Sequence, residues 1–400
     1  MKQLILNSNV VLESRVLTGC CLEWKDGIIT AIHEQPPSVD PSGYGAVIDA
    51  KGLYAAPGFM DLHVHGGGGY EFNLASPEEI RAICAAHARY GTTSILPTTL
   101  AAPIPELIRT IRAVREAQSL TIESNILGIH LEGPYFAQSQ RGAQNPEHIL
   151  NPSPDTYLPL LNEWDQVRMM GAAPELPGSL ELGRELVRRG IVASIAHSDA
   201  TYDEVVRAVQ HGYSDVTHIY SGCSMVHRVN GYRVAGVVEA GLALDELTVQ
   251  VIADGKHLPA ALLKLLYKTK GADRIILITD ALFAAASRYQ DGDVITQSNG
   301  VQTVLEDGVM KLMDRQAFAG SIATANQLVR NMVQLAGASL PDAVAMASLT
   351  PARLMKLDGC KGRLAPGYDA DFVLFDDQFE IRLTAVRGRI VFSDEGLAVH

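Results

Sequence analysis

The residues of this chain with evident chemical potential are a histidine pair in D-L-His63-V-His65-G, two further histidines at His197 and His218, and carboxylates at Glu132 and Asp280. Imidazoles two positions apart on a strand point to the same side, so His63 and His65 can hold one ion or two neighbouring ions. Glu132 lies in HLEGP, where Gly133 and Pro134 end an extended run, and a carboxylate there can ligate or bridge metals. Glu132, His197 (AHSDAT) and His218 (THIYS) make a nitrogen and oxygen set of three with room for water, the design of a catalytic rather than a structural metal site. Asp280, in LITDA, is suited to act as a base on that water. A single histidine or aspartate at a strand end is more often a turn former or a satisfied polar group. Joint placement is what points to chemistry.

That placement comes from a rhythm of short β-branched runs alternating with helical stretches. Eight runs read as strands: FMDLHVH, TSILPTT, ILGIHLEGP, VRMMGAAPE, VASIAHS, DVTHIYS, VQVIADGKH and IILITDA. Most are followed by a helix-like segment such as PEEIRAICAAHARYG or YDEVVRAVQHG. The pattern predicts an α/β fold, a TIM-type (β/α)8 barrel over 57–356. His63, His65, Glu132, Glu175, His197, His218, Asp254 and Asp280 fall at or just after the C-terminal ends of the apolar runs, the active-site face of such a barrel. Residues 1–56 and 357–400 read as short strands and turns, expected to join as one small β-sandwich domain built from both chain ends.

Composition excludes other classes. With 47% hydrophobic residues the chain buries a large core, and a formal charge of −12 argues against nucleic acid or an anionic membrane as a general partner. Five cysteines without a C-x-x-C pair are a poor disulfide framework and fit a reducing, cytoplasmic setting. No signal peptide and no bilayer-spanning run is expected.

PGFMDLHVHG, HLEGP, AHSDAT, THIYS, ADGKH and TDA, in this order, with AGS at 319–321 and the tail TPARLMKLDGCKGRLAPGYDADFVLFD, resemble the amidohydrolase superfamily. More narrowly, the chain resembles N-acetylglucosamine-6-phosphate deacetylases, since HLEGP with ADGKH and TDA is specific to that branch. The resemblance implies hydrolysis of the acetamide of an N-acetyl amino-sugar 6-phosphate. It implies a main metal on Glu132, His197 and His218, and a second site where His63 and His65 join Glu132. One or two divalent ions per subunit are expected, zinc by default, with iron, cobalt and manganese suited to the same ligands. Asp280 would take a proton from water and deliver it to the leaving amine. His257 would contact the sugar, as would the backbone of Phe318, Ala319 and Gly320, ahead of a helix expected to begin near Ile322. A homodimer is implied, in which one subunit's arginine serves the other's sugar site.

Two departures from the family pattern stand out. Where the family has histidine near the carbonyl under attack, this chain has Gln144, in RGAQNP. Its amide can donate to an oxyanion but cannot titrate near neutrality; His148 would compensate if that segment is helical. The second departure is THIYSGCSMVHRVNGYR, in which Ser221 and Gly222 replace the usual Asn-Ala phosphate cradle and His227, Arg228 and Arg233 replace H-R-E-P-G. Ser221 and Gly222 can still offer N–H groups, and either arginine suits phosphate geometry. The plain alternative is that these arginines solvate a loop or pair with Glu239. Competing functions are a deacetylase of a different N-acyl sugar or amino compound, a cyclic-amide hydrolase, disfavoured because the fourth strand offers no bridging lysine, and an inactive scaffold, disfavoured because every expected ligand is present.

Overall fold

The structure is a computed structural model that describes residues 1–34, 43–395 and 397; the expected end of the last domain, at 396 and 398–400, lies outside the described residues. The eight runs form the strands Phe59–Val64, Thr92–Thr99, Ile129–Tyr135, Val167–Ala172, Val192–Ile195, Tyr213–Val216, Thr248–Val251 and Ile275–Leu277. The first three are buried at every position, as parallel strands under a helical layer must be. Each pairs in parallel with the next in sequence.

The seam between the eighth and first strands carries no regular ladder. It is stitched at the C-terminal end by Asp280 N–H to the His63 carbonyl (2.8 Å) and His65 N–H to the Ala281 carbonyl (2.9 Å). Asp61 completes the seam from within: its buried carboxylate accepts from the Thr279 hydroxyl and from the Thr279 N–H at 3.2 Å. Burial raises the Asp61 carboxyl to about 7 against the pull of those donors.

The outer layer follows from local signals. Pro77–Ala88 opens with Ser76 and Glu79 bonded reciprocally to each other's backbone, and Tyr202–Gln210 opens the same way with Thr201 and Glu204. Leu62, Leu96, Met169 and Ile276, from four different strands, meet with Met355 and so fill part of the barrel interior.

Both chain ends join in one eight-stranded sheet. Lys2–Val11 pairs with Val16–Lys25 on one side and with Tyr44–Asp49 and Tyr54–Pro57 on the other. Tyr54–Pro57 then pairs antiparallel with Phe372–Phe375, which leads to Ile381–Val386 and Arg389–Ser393. The sheet folds over its own core: Trp24 meets Phe372 edge-on at 5.0 Å, and its indole N–H donates to the Gly388 carbonyl.

An ion triad ties this domain to the barrel. Lys361, 7% exposed, donates to Asp369 at 2.7 Å and to Asp371, while Asp371 accepts from Asn125 (3.0 Å) beside the second barrel strand and from the Arg387 N–H (2.7 Å). Replacing Lys361 strands two carboxylates in a shielded place. Lys361→Met should cost roughly 3–5 kcal/mol of stability, read as a drop in the urea midpoint at unchanged slope; an unchanged midpoint would show that the triad contributes nothing net.

Candidate metal centre

His63, His65, Glu132, His197, His218 and Asp280 come from the first, third, fifth, sixth and eighth strands or the residues just after them, and converge at the C-terminal mouth of the barrel. All six are buried to within a tenth of full exposure. His197, His218 and Asp280 each hold left-handed backbone, with φ of 46°, 26° and 49°. Non-glycine residues rarely adopt that conformation, and each such residue costs about 1–3 kcal/mol of backbone strain.

Every imidazole is oriented by an acceptor at Nδ1. His65 donates to the Thr98 carbonyl (3.2 Å), His197 to that of Gln140 (2.8 Å) and His218 to that of Ser221 (3.0 Å). His63 faces Gln250 Oε1 at 3.3 Å. That amide is fixed in turn, because Gln250 Nε2 donates to the fully buried Asp215 (2.7 Å), which also accepts from Ser194 and Thr248. In the neutral tautomer that carries its proton on Nδ1, Nε2 of each ring is left available to a metal.

Those nitrogens meet each other and the carboxylates. His63 and His65 Nε2 are 3.1 Å apart, His218 and His197 Nε2 lie 2.9 and 3.2 Å from Glu132 Oε1, and His65 Nε2 lies 3.2 Å from Asp280 Oδ1. Two carboxylates packed this closely against four imidazoles call for positive charge among them. The titration of the cluster reports the same need. Burial pushes Glu132 and Asp280 upward, but the surrounding imidazoles overcome it, holding Glu132 well below the carboxylate range and Asp280 at about 2. Burial disfavours the charged form of His218, yet Glu132 and Asp280 lift it to about 9, whereas His63 falls to about 4. The donor set, neutral nitrogen and anionic oxygen with fixed tautomers, fits a divalent transition metal.

Above the cluster opens a cavity of about 290 Å³. Gln144, Ser221, Gly222, His257, Phe318, Ala319 and Gly320 all line it. His257 is aimed by Asp254, which accepts from its Nδ1 at 2.8 Å and from its N–H, and it packs edge-on against Phe318 with centroids 4.9 Å apart. Gly222 is required on steric grounds: at φ 56°, a Cβ would lie 2.7 Å from His197 Nδ1. Glu175 is not among the converging carboxylates; it accepts from Ser198 and the Asp199 N–H and so braces the turn after His197.

His227, Arg228 and Arg233 do not line the cavity of their own subunit. They sit on an exposed hairpin, His227–Val229 with Tyr232–Val234, turned by Asn230-Gly231 at positive φ. Neither arginine pairs with Glu239, which instead accepts from the Gly236 N–H. The helix expected near Ile322 starts at Ala325, because the Ser321 side chain bonds the Thr279 carbonyl and the Ala323 N–H and keeps the chain extended. Residues 146–148 make only a short 3-10 turn, and His148 faces the Ala101 carbonyl. Sequence reading passed over Gln250 and Asp215, whose signal was a polar residue inside an apolar strand. It also passed over the segment between Leu282 and Gly320, which folds as a three-stranded antiparallel sheet beside the mouth.

The amidohydrolase family model matches residues 54–391, and the chain belongs to that family, whose members are metal-dependent. It is 33% identical to an N-acetylglucosamine-6-phosphate deacetylase of Lysinibacillus sphaericus, over 92% of each chain, and 33% identical to an N-acetylgalactosamine-6-phosphate deacetylase of Escherichia coli O157:H7, over 91% of this chain and 93% of that one. The crystal structure of N-acetylglucosamine-6-phosphate deacetylase from Pasteurella multocida superposes with a TM-score of 0.91 at 28% identity, covering 98% of this chain and all of that one. Within the family, the chain falls in the N-acetylglucosamine-6-phosphate deacetylase branch.

A bound metal should stabilise the fold by mass action. Returning zinc to chelator-treated protein at about 100 times its Kd should add about 2.7 kcal/mol, seen as a rise in Tm, and His218→Ala should remove most of the rise. A Tm indifferent to zinc, manganese and iron alike would contradict the site.

Proposed function

We propose that the protein hydrolyses the acetamide of an N-acetyl amino-sugar 6-phosphate, N-acetylglucosamine 6-phosphate in the simplest case, to the free amine and acetate. The observation that carries this reading is the convergence of His63, His65, Glu132, His197, His218 and Asp280 on the floor of a cavity that can seat one sugar. Glu132, His197 and His218 would hold the main metal, with His63 and His65 able to join Glu132 around a second; zinc suits this donor set, as do iron, cobalt and manganese. A metal so held supplies an activated water and a Lewis acid for the carbonyl. Asp280, ionised at neutral pH, takes the proton of the attacking water and gives it to the leaving nitrogen. His257, held by Asp254, faces the sugar together with the backbone of Phe318, Ala319 and Gly320.

The phosphate would meet the Gly222 N–H, since the Ser221 N–H, expected to share that role, is taken by the His218 carbonyl at 2.9 Å. No arginine or lysine among the described residues lines the cavity, so a counter-charge would come from outside it. The hairpin offers Arg228 and Arg233 beside exposed Val229 and Tyr232, with Met225 and Val226 exposed just before it. That composition suits a surface covered in a homodimer, with one copy's arginine reaching its partner's site. The five cysteines, unpaired among the described residues, support a reducing, cytoplasmic setting. No helix among the described residues is long and apolar enough to cross a membrane.

The altered segment around Ser221 also favours a second reading, a deacetylase of an unphosphorylated N-acyl sugar. Acetate release from N-acetyl sugars with and without 6-phosphate separates the two, since a kcat/KM indifferent to phosphate rules out the first. Under the first reading, Arg228→Ala or Arg233→Ala should lower kcat/KM by a hundredfold or more on the phosphorylated sugar only. Asp280→Asn should retain its metal and lose turnover, and near-normal turnover in that variant would remove Asp280 from the mechanism.

A further inference from the structure

Gln144 stands where the resembling family carries a histidine, and its amide is committed at both ends. Nε2 donates to Glu132 Oε2 at 2.7 Å, and Oε1 accepts from the Ala101 N–H at 2.9 Å. The residue is 5% exposed. The amide cannot flip, because that would set its carbonyl against a carboxylate and its NH2 against an N–H. The backbone around it is clamped as well: its own N–H donates to the Arg141 carbonyl (3.0 Å), Asn299 donates to the Ala143 carbonyl (3.2 Å), and Asn145 donates to the Asn299 carbonyl (2.9 Å).

The two oxygens of Glu132 therefore have different surroundings. Oε1 lies 2.9, 3.2 and 3.5 Å from Nε2 of His218, His197 and His63, whereas Oε2 has the Gln144 amide and, at 3.4 Å, His65 Nε2. The Gln144 N–H is a permanent, uncharged donor on Oε2. It sets the rotation of a carboxylate that would otherwise turn among four imidazoles.

We infer that Gln144 is a positioning residue of the metal centre, which acts through Glu132 by holding Oε2 so that Oε1 is presented to His197 and His218. This deepens the reading proposed above, since it takes Glu132 as a metal ligand. Partners that orient ligands in this way typically change metal affinity by about 10–100-fold when removed.

The test measures metal affinity without turnover. Chelator-stripped wild-type protein and Gln144→Met, which keeps the volume and removes both hydrogen bonds, would be titrated with zinc against a chromophoric chelator. Gln144→Asn, polar but one methylene shorter, is a second variant should the first fail to fold. Zinc binding about 10–100-fold weaker in the variants, with altered visible bands in the cobalt-substituted protein, is the expected result. Affinity within twofold of wild type, or a lower Tm of the stripped protein with affinity unchanged, would overturn the inference and leave Gln144 as a brace for the Ala101 turn. Wild-type protein that binds no zinc or cobalt would overturn the metal centre itself, a separate outcome.

Discussion

The convergence of imidazoles and carboxylates on one small volume organises this molecule. Four imidazole nitrogens and two carboxylates point at one small volume, and nothing in a protein interior tolerates that without compensating positive charge. Each supporting feature of the mouth serves to keep those groups aimed at one another. The carbonyls of Thr98, Gln140 and Ser221 fix tautomers, and Asp215 fixes Gln250, which fixes His63. Left-handed backbone at His197, His218 and Asp280 turns side chains back over the barrel at the points where the strands end.

The barrel suits the task because its strands end together. The first, third, fifth, sixth and eighth strands bring the six groups together at or just beyond their C-terminal edges, so no long loop has to reach across. The seam between the eighth and first strands is the exception. There, Asp280 and His63 are joined by the backbone bond that closes the barrel, so barrel closure and the candidate metal centre share residues. Asp61, buried one turn of the pleat below His63, holds the same seam through Thr279.

Much of this was legible in the sequence, and the parts that were not share a physical cause. The eight strands and the six converging residues could be read because burial demands apolar runs and because a polar residue at the end of such a run is conspicuous. The division of labour around Gln144 could not, because its two partners, Ala101 and Glu132, are distant in sequence and meet only through tertiary packing. The hairpin defeated reading for another reason. Asn230-Gly231 is a strong turn signal, but a turn alone does not say whether the strands fold back into their own cavity or outward, and His227, Arg228 and Arg233 point out. Ser321 moved a helix start by three residues, with a hydroxyl that bonds the distant Thr279 carbonyl as well as the Ala323 N–H, a contact no local pattern announces.

The pairing of the two chain ends bears on how the molecule is made. Trp24 bonds to a carbonyl 364 residues away, and Tyr54–Pro57, the strand leading into the barrel, has its other neighbour in Phe372–Phe375. During synthesis the first segment leaves the ribosome long before that partner exists, so an apolar strand edge stays open through the whole of barrel translation. The barrel can thus assemble as it emerges, whereas the small sheet closes only once Phe372–Phe375 has followed it. The strands made after the barrel are the ones that cover the strand made before it, and a chain cut short of Phe372 would expose that edge.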